Sequence, residues 1–126
     1  MRVFKNKWFN RWALGEGITD ANLRNAALEI VAGMVEADLG GYLFKKRLAR
    51  VGKGKSGGYR TIVGYRKAHS DRLVFLYAFP KNAKGNISSN EEAALSLAAE
   101  KFLNATNQQV NALVADGVIW EVKGDE

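Results

Sequence analysis

The stretch GKGKSGGYR, residues 52–60, combines four glycines with two lysines and an arginine. Glycine lets a ligand approach the backbone closely, while Lys53, Lys55 and Arg60 supply positive charge, so the stretch is suited to binding an anion. The surrounding residues 43–72 hold ten Lys or Arg and a single acid, although the whole chain has a net charge of only +6. This local concentration points to a polyanion such as nucleic acid. A solvated basic face without a partner is the alternative.

Nucleotide hydrolysis and metal chemistry fit these residues poorly. GKS at 54–56 matches the end of the phosphate-binding loop GxxxxGK[ST], but the first glycine of that motif falls on Ala49. The motif must also open a helix, and here it leads into the strand-like GGYRTIV. The chain has no cysteine, one histidine (His69) and no pair of carboxylates in the basic segment, so a metal site is hard to build. Ser56 and Ser70 lack an evident base.

Lysine, arginine and tyrosine remain, and they can both hold and cleave a phosphodiester. Clustered cations depress one another's pKa values, so a crowded lysine could act as a base near neutral pH. An arginine can stabilise the charge that develops on a phosphorane. RNA carries its own nucleophile, the 2′-OH, so these residues permit a metal-free ribonuclease. A module that only binds RNA or DNA would use the same residue types.

Length and composition indicate one soluble domain spanning residues 1–126. The chain is 47% apolar and 25% charged, which is ordinary for a globular protein. Its first twelve residues contain no apolar core of a signal peptide, and no stretch approaches a membrane span. We therefore expect a cytoplasmic protein with no membrane partner and no cofactor.

Hydrophobic spacing predicts a helix followed by a three-stranded meander. The helix is capped by Thr19 or Asp20 and ends at the Gly40–Gly41 pair. Its apolar stripe consists of Leu23, Ala27, Ile30, Val31 and Met34. The short connections between the three strand-like runs favour antiparallel hairpins. These runs span residues 42–51, 59–67 and 72–79.

The remaining elements complete an α+β fold with a curved antiparallel sheet and helices packed on one face. A first strand is expected within 2–9, and Trp8, Phe9 and Trp12 are expected to pack in the core or on a helix rather than stack on bases. Ser89 and Glu92 form a capping box that opens a second long helix. Within residues 106–126, TNQQ (106–109) repeats the capping pattern and opens a short helix through Val114, and a last strand follows at 118–122. With helices on one face, the basic residues of 45–66 would line the other.

Two segments carry a family resemblance. KKRLARVGKGKSGGYRTIVGY (45–65) and FLYAFPKNAKGNI (75–87) resemble the RelE/ParE superfamily of toxins of type II toxin–antitoxin systems, and the HigB-like RelE branch in particular. The resemblance implies a RelE-like fold and an endoribonuclease that cuts mRNA on the ribosome through 2′-OH attack, without metal. It also implies a cognate antitoxin encoded alongside, usually with a helix-turn-helix domain.

The resemblance assigns roles to the basic residues. Arg60 would contact the scissile phosphate and stabilise the phosphorane, and Lys55 or Lys45 would be the base. Arg47 and Lys81 would be electrostatic or acid partners. A further group would bind the RNA or ribosomal RNA backbone: Lys46, Arg50, Lys53, Arg66 and Lys84.

Two departures separate this chain from RelE itself. Asn82 stands where RelE has a second basic residue, and the C-terminal tyrosine that stacks on the base has no clear match. Tyr59, Tyr65 or Tyr77 are the candidates for that role. Two alternatives therefore remain: a non-catalytic RelE-fold module that binds nucleic acid or protein, and a gyrase-directed toxin of the ParE type. The strong basic set argues against the gyrase-directed toxin.

Overall fold

The computed structural model describes residues 1–49, 58–67, 71–82 and 86–124. Within these ranges the chain forms ten elements: β1 (Arg2–Asn6), α1 (Lys7–Glu16), α2 (Asp20–Val31), β2 (Ala37–Gly40), β3 (Leu43–Leu48), β4 (Tyr59–Gly64), β5 (Arg72–Pro80), α3 (Ser89–Asn104), α4 (Asn107–Ala115) and β6 (Ile119–Glu121). Several residues singled out from the sequence lie outside the described residues: Arg50, Lys53, Lys55, Ser56, His69, Ser70 and Lys84.

The strands form one six-stranded sheet in the order β2-β3-β4-β5-β1-β6. The predicted antiparallel meander β3-β4-β5 forms its centre. β1 joins β5 in parallel, and β6 closes the other edge antiparallel to β1. The sheet is therefore mixed, because the β1–β5 pair is parallel whereas the other strand pairs described are antiparallel.

Helices pack against both faces of this sheet. One core holds Phe9 and Ala13 of α1 and the buried residues of α2 against the odd-numbered side chains of β5, such as Leu73 and Phe75. The second core holds Ala99, Phe102, Leu103 and Val110 of α3 and α4 against Val74 and Leu76. The α+β class with helices packed on the sheet is confirmed. α1 and α2 contribute to the first core and α3 and α4 to the second, because β1, β4 and β5 carry apolar residues on both sides.

The first long helix is shorter than predicted. Thr19 caps α2 through a capping box with Asn22, and Leu23, Ala27 and Ile30 are buried as expected. The helix ends at Val31, however, and Val31 and Met34 are exposed. The Gly40–Gly41 pair does not terminate this helix but turns the short strand β2 into β3, where both glycines and Tyr42 have left-handed backbone angles.

The N-terminus of α3 lies one residue before its predicted position. Ser88 and Glu91, not Ser89 and Glu92, form the capping box. Both Ser88 with Glu91 and Ser89 with Glu92 satisfy the S-x-x-E pattern. Ile87 is buried in the second core, and the N-cap of the helix follows directly after it. The predicted capping box of Thr106 and Gln109 is confirmed for α4. No helix within the described ranges is long and apolar enough to cross a membrane.

Candidate nucleic-acid interface

Three of the predicted basic residues meet at one end of the sheet. Arg47 on β3 lies directly opposite Arg60 on β4 in the antiparallel register. The next strand ends beside them, because the backbone N–H of Lys81 donates to the carbonyl of Gly58 at 3.1 Å. Like charges directly opposite each other destabilise a sheet unless a nearby anion offsets their repulsion.

Arg60 is held in place by two acceptors. Its Nε donates to both carboxylate oxygens of Glu36 at 3.0 and 3.1 Å, and its Nη1 donates to the carbonyl of Lys81 at 3.3 Å. The side chains of Arg60 and Glu36 are 15% and 25% exposed. Nη2 has no hydrogen-bond partner among the residues that the structure describes. The guanidinium is thus fixed on one edge and retains donor capacity on the other.

A depression of about 280 Å³ lies at the same end of the sheet. Arg47 and Lys81 contribute the cations to its wall, Gly58 contributes backbone, and Glu29 of α2 contributes a carboxylate. The side chain of Arg47 is exposed, whereas Lys81 is partly buried. The depression is therefore bordered by cations from the ends of β3 and β5, next to the Arg47–Arg60 pair.

Lys45 lies one row further into the sheet. It pairs with Ile62, so it sits diagonally across from Arg60 and on the same face as Arg47, two residues away. Diagonal neighbours in an antiparallel pair are about 7–8 Å apart, which long side chains can bridge. Lys45 is partly buried. It is within reach of a group bound between the two arginines.

Two other predicted RNA contacts have partners of their own. Lys46 alternates with Lys45 and Arg47 along β3, and its Nζ contacts Glu29, which also lines the depression, at 3.1 Å and donates to the carbonyl of Met34 at 2.7 Å. Arg66 follows the far end of β4, and its Nη1 donates to Asn104 Oδ1 at 2.9 Å. The guanidinium carbon of Arg66 lies 5.9 Å from the Tyr42 ring centroid. Their roles as RNA contacts stay predictions.

The candidate stacking tyrosines differ in accessibility. Tyr59 and Tyr65 are 4% and 6% exposed and belong to the first core. The Tyr59 hydroxyl donates to Glu16, and its ring packs edge-on against Trp12 at 5.0 Å. Tyr77 is partly exposed and contacts Trp8. Of the three, Tyr77 is the tyrosine that a ligand could reach. Asn82, the departure from RelE, is exposed.

Glu36 is the residue of this site that sequence reasoning missed. It lies 24 residues before Arg60, in a segment assigned to the end of a helix. Its carboxylate reaches Arg60 because Glu36 begins the pairing of β2 with β3, with its N–H donating to the carbonyl of Lys45 at 2.8 Å. The only sequence feature that could have indicated an ion pair here is the position of two acids, Glu36 and Asp38, shortly before the strongly basic segment. Among the described residues, no group of three or more His, Cys, Asp or Glu could hold a metal ion.

A mixed sheet with an antiparallel centre, and with cations on or directly after three adjacent strands at one end, defines a small basic α+β protein. The family model described as the RelE toxin of the RelE/RelB toxin–antitoxin system matches residues 1–122. The chain therefore belongs to the RelE toxin family, and a cognate antitoxin is its expected partner. No match was found among the curated proteins. The match does not distinguish the HigB-like branch, which stays a prediction.

Proposed function

We propose that this toxin is a metal-independent endoribonuclease that cuts mRNA, in a reaction that depends on the ribosome, and thereby inhibits translation. The observation that carries the proposal is the direct opposition of Arg47 and Arg60, with Lys81 at the end of the adjacent strand. A scissile phosphate placed between these residues would offset the repulsion between the two arginines.

Arg60 supplies the electrostatic part of the reaction. Fixed by Glu36 and by the carbonyl of Lys81, the guanidinium presents Nη2 to a phosphate oxygen without a further loss of side-chain freedom. Negative charge grows on the non-bridging oxygens as the phosphorane forms. A pre-positioned cation stabilises that charge more than it stabilises the ground state, which accelerates the reaction.

The proton transfers fall to the lysines. A lysine takes the proton of the 2′-OH, the 2′ oxygen bonds to phosphorus, and the bond from phosphorus to the 5′ oxygen breaks. The leaving oxygen receives a proton from a second cation, so the products are a 2′,3′-cyclic phosphate and a 5′-hydroxyl. Lys45 and Lys55 are the candidate bases, and Arg47 and Lys81 are the electrostatic or acid partners. The position of Lys45 on the same sheet face as Arg47 supports its role as a candidate base.

Induced expression of four chains tests the proposal: the parent, Arg60→Ala, Arg60→Lys and Lys101→Ala. Lys101 is an exposed cation in the last turn of α3 and serves as the matched control. We expect the parent and Lys101→Ala to stop growth and to give cuts inside coding frames by primer extension. Arg60→Ala should abolish both effects. Arg60→Lys should retain little activity, because lysine keeps the charge but loses the planar fork.

Growth arrest with intact mRNA would overturn the proposal, as would cuts that persist in Arg60→Ala. The non-catalytic alternative is favoured by one observation: Asn82 is exposed next to Lys81, where RelE has a second cation. If expression of the parent is tolerated and purified protein still binds RNA, the chain is such a binding module. Arrest accompanied by DNA damage and intact mRNA would indicate the gyrase-directed alternative.

A further inference from the structure

The outer surface of α1 carries aromatic rings that are not all used in the core. Phe9 is fully buried, as expected. Trp12 is partly buried against the first core, but Trp8 is 44% exposed. The rings of Trp8 and Trp12 are parallel within 7°, with centroids 6.2 Å apart. Trp8 therefore packs on neighbouring rings, while part of its surface stays accessible to a ligand.

Cations flank these rings. Lys7, Trp8, Arg11 and Trp12 line a single open depression of about 550 Å³ on α1. Lys7 and Arg11 are the cations of this depression, whereas Arg2 and Lys5 of β1 are paired with Glu121 and Asp20. Planar aromatic faces interleaved with positive charge are what a single-stranded nucleic acid requires, since bases stack and phosphates pair with cations. The charge of this face makes an anionic strand a better occupant than an apolar protein segment.

The aromatic surface of α1 is continuous with the basic end of the sheet. Trp8 lies 4.7 Å from Tyr77, and Tyr77 lies 6.1 Å from Phe79, centroid to centroid. Phe79 is the register partner of Arg60. Two residues of strand span roughly 7 Å, so the partly exposed Tyr77 lies one row of the sheet away from Arg60, and Trp8 lies beside Tyr77. On the opposite side Trp12 contacts Tyr59, which lines the depression shared by Arg47 and Lys81.

We propose that Trp8, with Trp12 and Tyr77 beside it, is a base-stacking surface that binds a nucleotide flanking the phosphate held at the Arg47–Arg60 pair, while Lys7 and Arg11 contact its backbone. This inference rests on the proposed function for the identity of the strand as RNA. It assigns a subsite whose chemistry is stacking rather than charge alone.

Binding of a short 2′-O-methyl oligoribonucleotide by the full chain tests this subsite. The methyl groups remove the nucleophile, so binding is measured without cleavage. We expect quenching of tryptophan fluorescence on binding, and about tenfold weaker affinity for Trp8→Ala, the size of effect associated with loss of one base stack. Trp8→Phe should restore most of the affinity. Leu28→Ala, a change at an exposed apolar residue of α2, is the matched control and should bind like the parent.

An abasic ribose-phosphate oligomer of the same length separates stacking from charge. Trp8→Ala and the parent should bind this probe equally, whereas Arg11→Ala should bind both probes more weakly. Equal affinity of Trp8→Ala and the parent for the base-containing probe overturns the inference, as does failure of the parent to bind it. A loss of antitoxin affinity in Trp8→Ala with unchanged RNA affinity would show that the surface serves a protein instead.

The inference and the proposed function can fail separately. If Trp8→Ala weakens binding but the parent leaves mRNA intact in cells, the stacking subsite stands and the ribonuclease assignment falls. The opposite outcome is that the parent cuts mRNA, that Arg60→Ala impairs both cleavage and oligonucleotide binding, and that Trp8→Ala impairs neither. The ribonuclease assignment then stands and the stacking subsite falls.

Discussion

Arg60 faces both another arginine and a carboxylate, and the balance between the two decides how it can act. Arg47 opposes it across β3 and β4, and Glu36 accepts two hydrogen bonds from its Nε. The carboxylate partly neutralises the site, but it also removes rotamer freedom from a long side chain. We regard Glu36 as a positioning residue, because it acts on a substrate through Arg60.

The first prediction concerns this positioning. Glu36→Ala should lower mRNA cleavage by about ten- to a hundredfold, because a misplaced guanidinium no longer meets the phosphate. Glu36→Gln keeps an acceptor oxygen for Nε and should retain most of the activity. Primer extension at equal protein level measures mRNA cleavage by both variants. Their melting temperatures should remain within a few degrees of the parent.

A purely structural role for Glu36 would give a different pattern. In that case cleavage by Glu36→Ala would fall only in step with its stability. Glu36→Gln would then give no rescue beyond its effect on the melting temperature.

At the scale of elements, α3 approaches the sheet through a glycine. A Cβ built at Gly64 would lie 3.0 Å from Ala99 Cβ and 3.0 Å from Val74 Cγ1, both buried. Gly64 lies at the end of β4, the strand that carries Arg60. The close contact between β4 and α3 therefore depends on the missing side chain.

Gly64→Ala should reduce the free energy of unfolding by about 1–3 kcal/mol, the usual cost of overpacking. Gly15→Ala is the matched control, because a Cβ at Gly15 in α1 meets nothing within 4 Å. That change should be neutral or slightly stabilising, since alanine is the better helix former. Urea denaturation of the three proteins measures the difference. Equal stability of Gly64→Ala and the parent would contradict the described packing of α3.

The elements that the sequence predicted best are those with strong local signals. The strand-like runs at 59–67 and 72–79 correspond to β4 and β5, and the capping box at Thr106 is present. β2 was missed because its four residues, ADLG, carry no alternation of β-branched residues and follow directly on a helical stripe. Pairing with β3, a tertiary effect, makes this segment a strand.

The candidate site was predictable in type but not in geometry. The basic composition of 43–72 pointed to Arg47 and Arg60, because charge is visible in a sequence, and the family resemblance added Lys81. Their convergence depends on strand register, and the ion pair with Glu36 depends on β2, so neither could be predicted from spacing. Lys46 and Arg66 look equivalent to the others in sequence. The structure separates them, because Lys46 is paired with Glu29 and Arg66 follows the far end of β4.

At the scale of the whole molecule, Asp20 joins three distant segments of the chain. It accepts from Lys5 Nζ of β1 at 2.9 Å and from the backbone N–H of Lys123 at 3.0 Å. Burial raises the pKa of Asp20, but the hydrogen bonds from Lys123 and Lys5 together outweigh burial and hold that pKa below its ordinary value. The hydrogen bonds from Arg2 likewise lower the pKa of Glu121.

A lowered carboxyl pKa makes stability depend on pH in a known direction. The unfolded chain binds protons to these carboxyls at higher pH than the folded chain does. Their contribution is therefore present above the ordinary carboxyl pKa, near 4, and is lost as the pH falls through the lower folded value. We expect the free energy of unfolding of the parent to decrease below about pH 4.

Asp20→Asn tests this linkage. At pH 7 it should destabilise the protein by about 1–3 kcal/mol, because Lys5 is 7% exposed and would lose its charged partner. Toward pH 2 the difference from the parent should shrink, because the contribution of the ionised carboxylate is progressively lost as the pH falls below the ordinary carboxyl pKa. Denaturant titrations at the two pH values measure it. A difference that is the same at both would contradict the ionic role of Asp20.

The chemistry of the ends of cut mRNA tests the central claim most directly. Total RNA from cells expressing the parent and Arg60→Ala would be analysed for the groups at each cleavage site. Attack by the 2′-OH predicts a 2′,3′-cyclic phosphate or 3′-phosphate upstream and a 5′-hydroxyl downstream, with no such ends in Arg60→Ala. A 5′-phosphate with a 3′-hydroxyl, or the absence of cuts at growth arrest, would contradict the assignment of the basic end of the sheet as a ribonuclease centre.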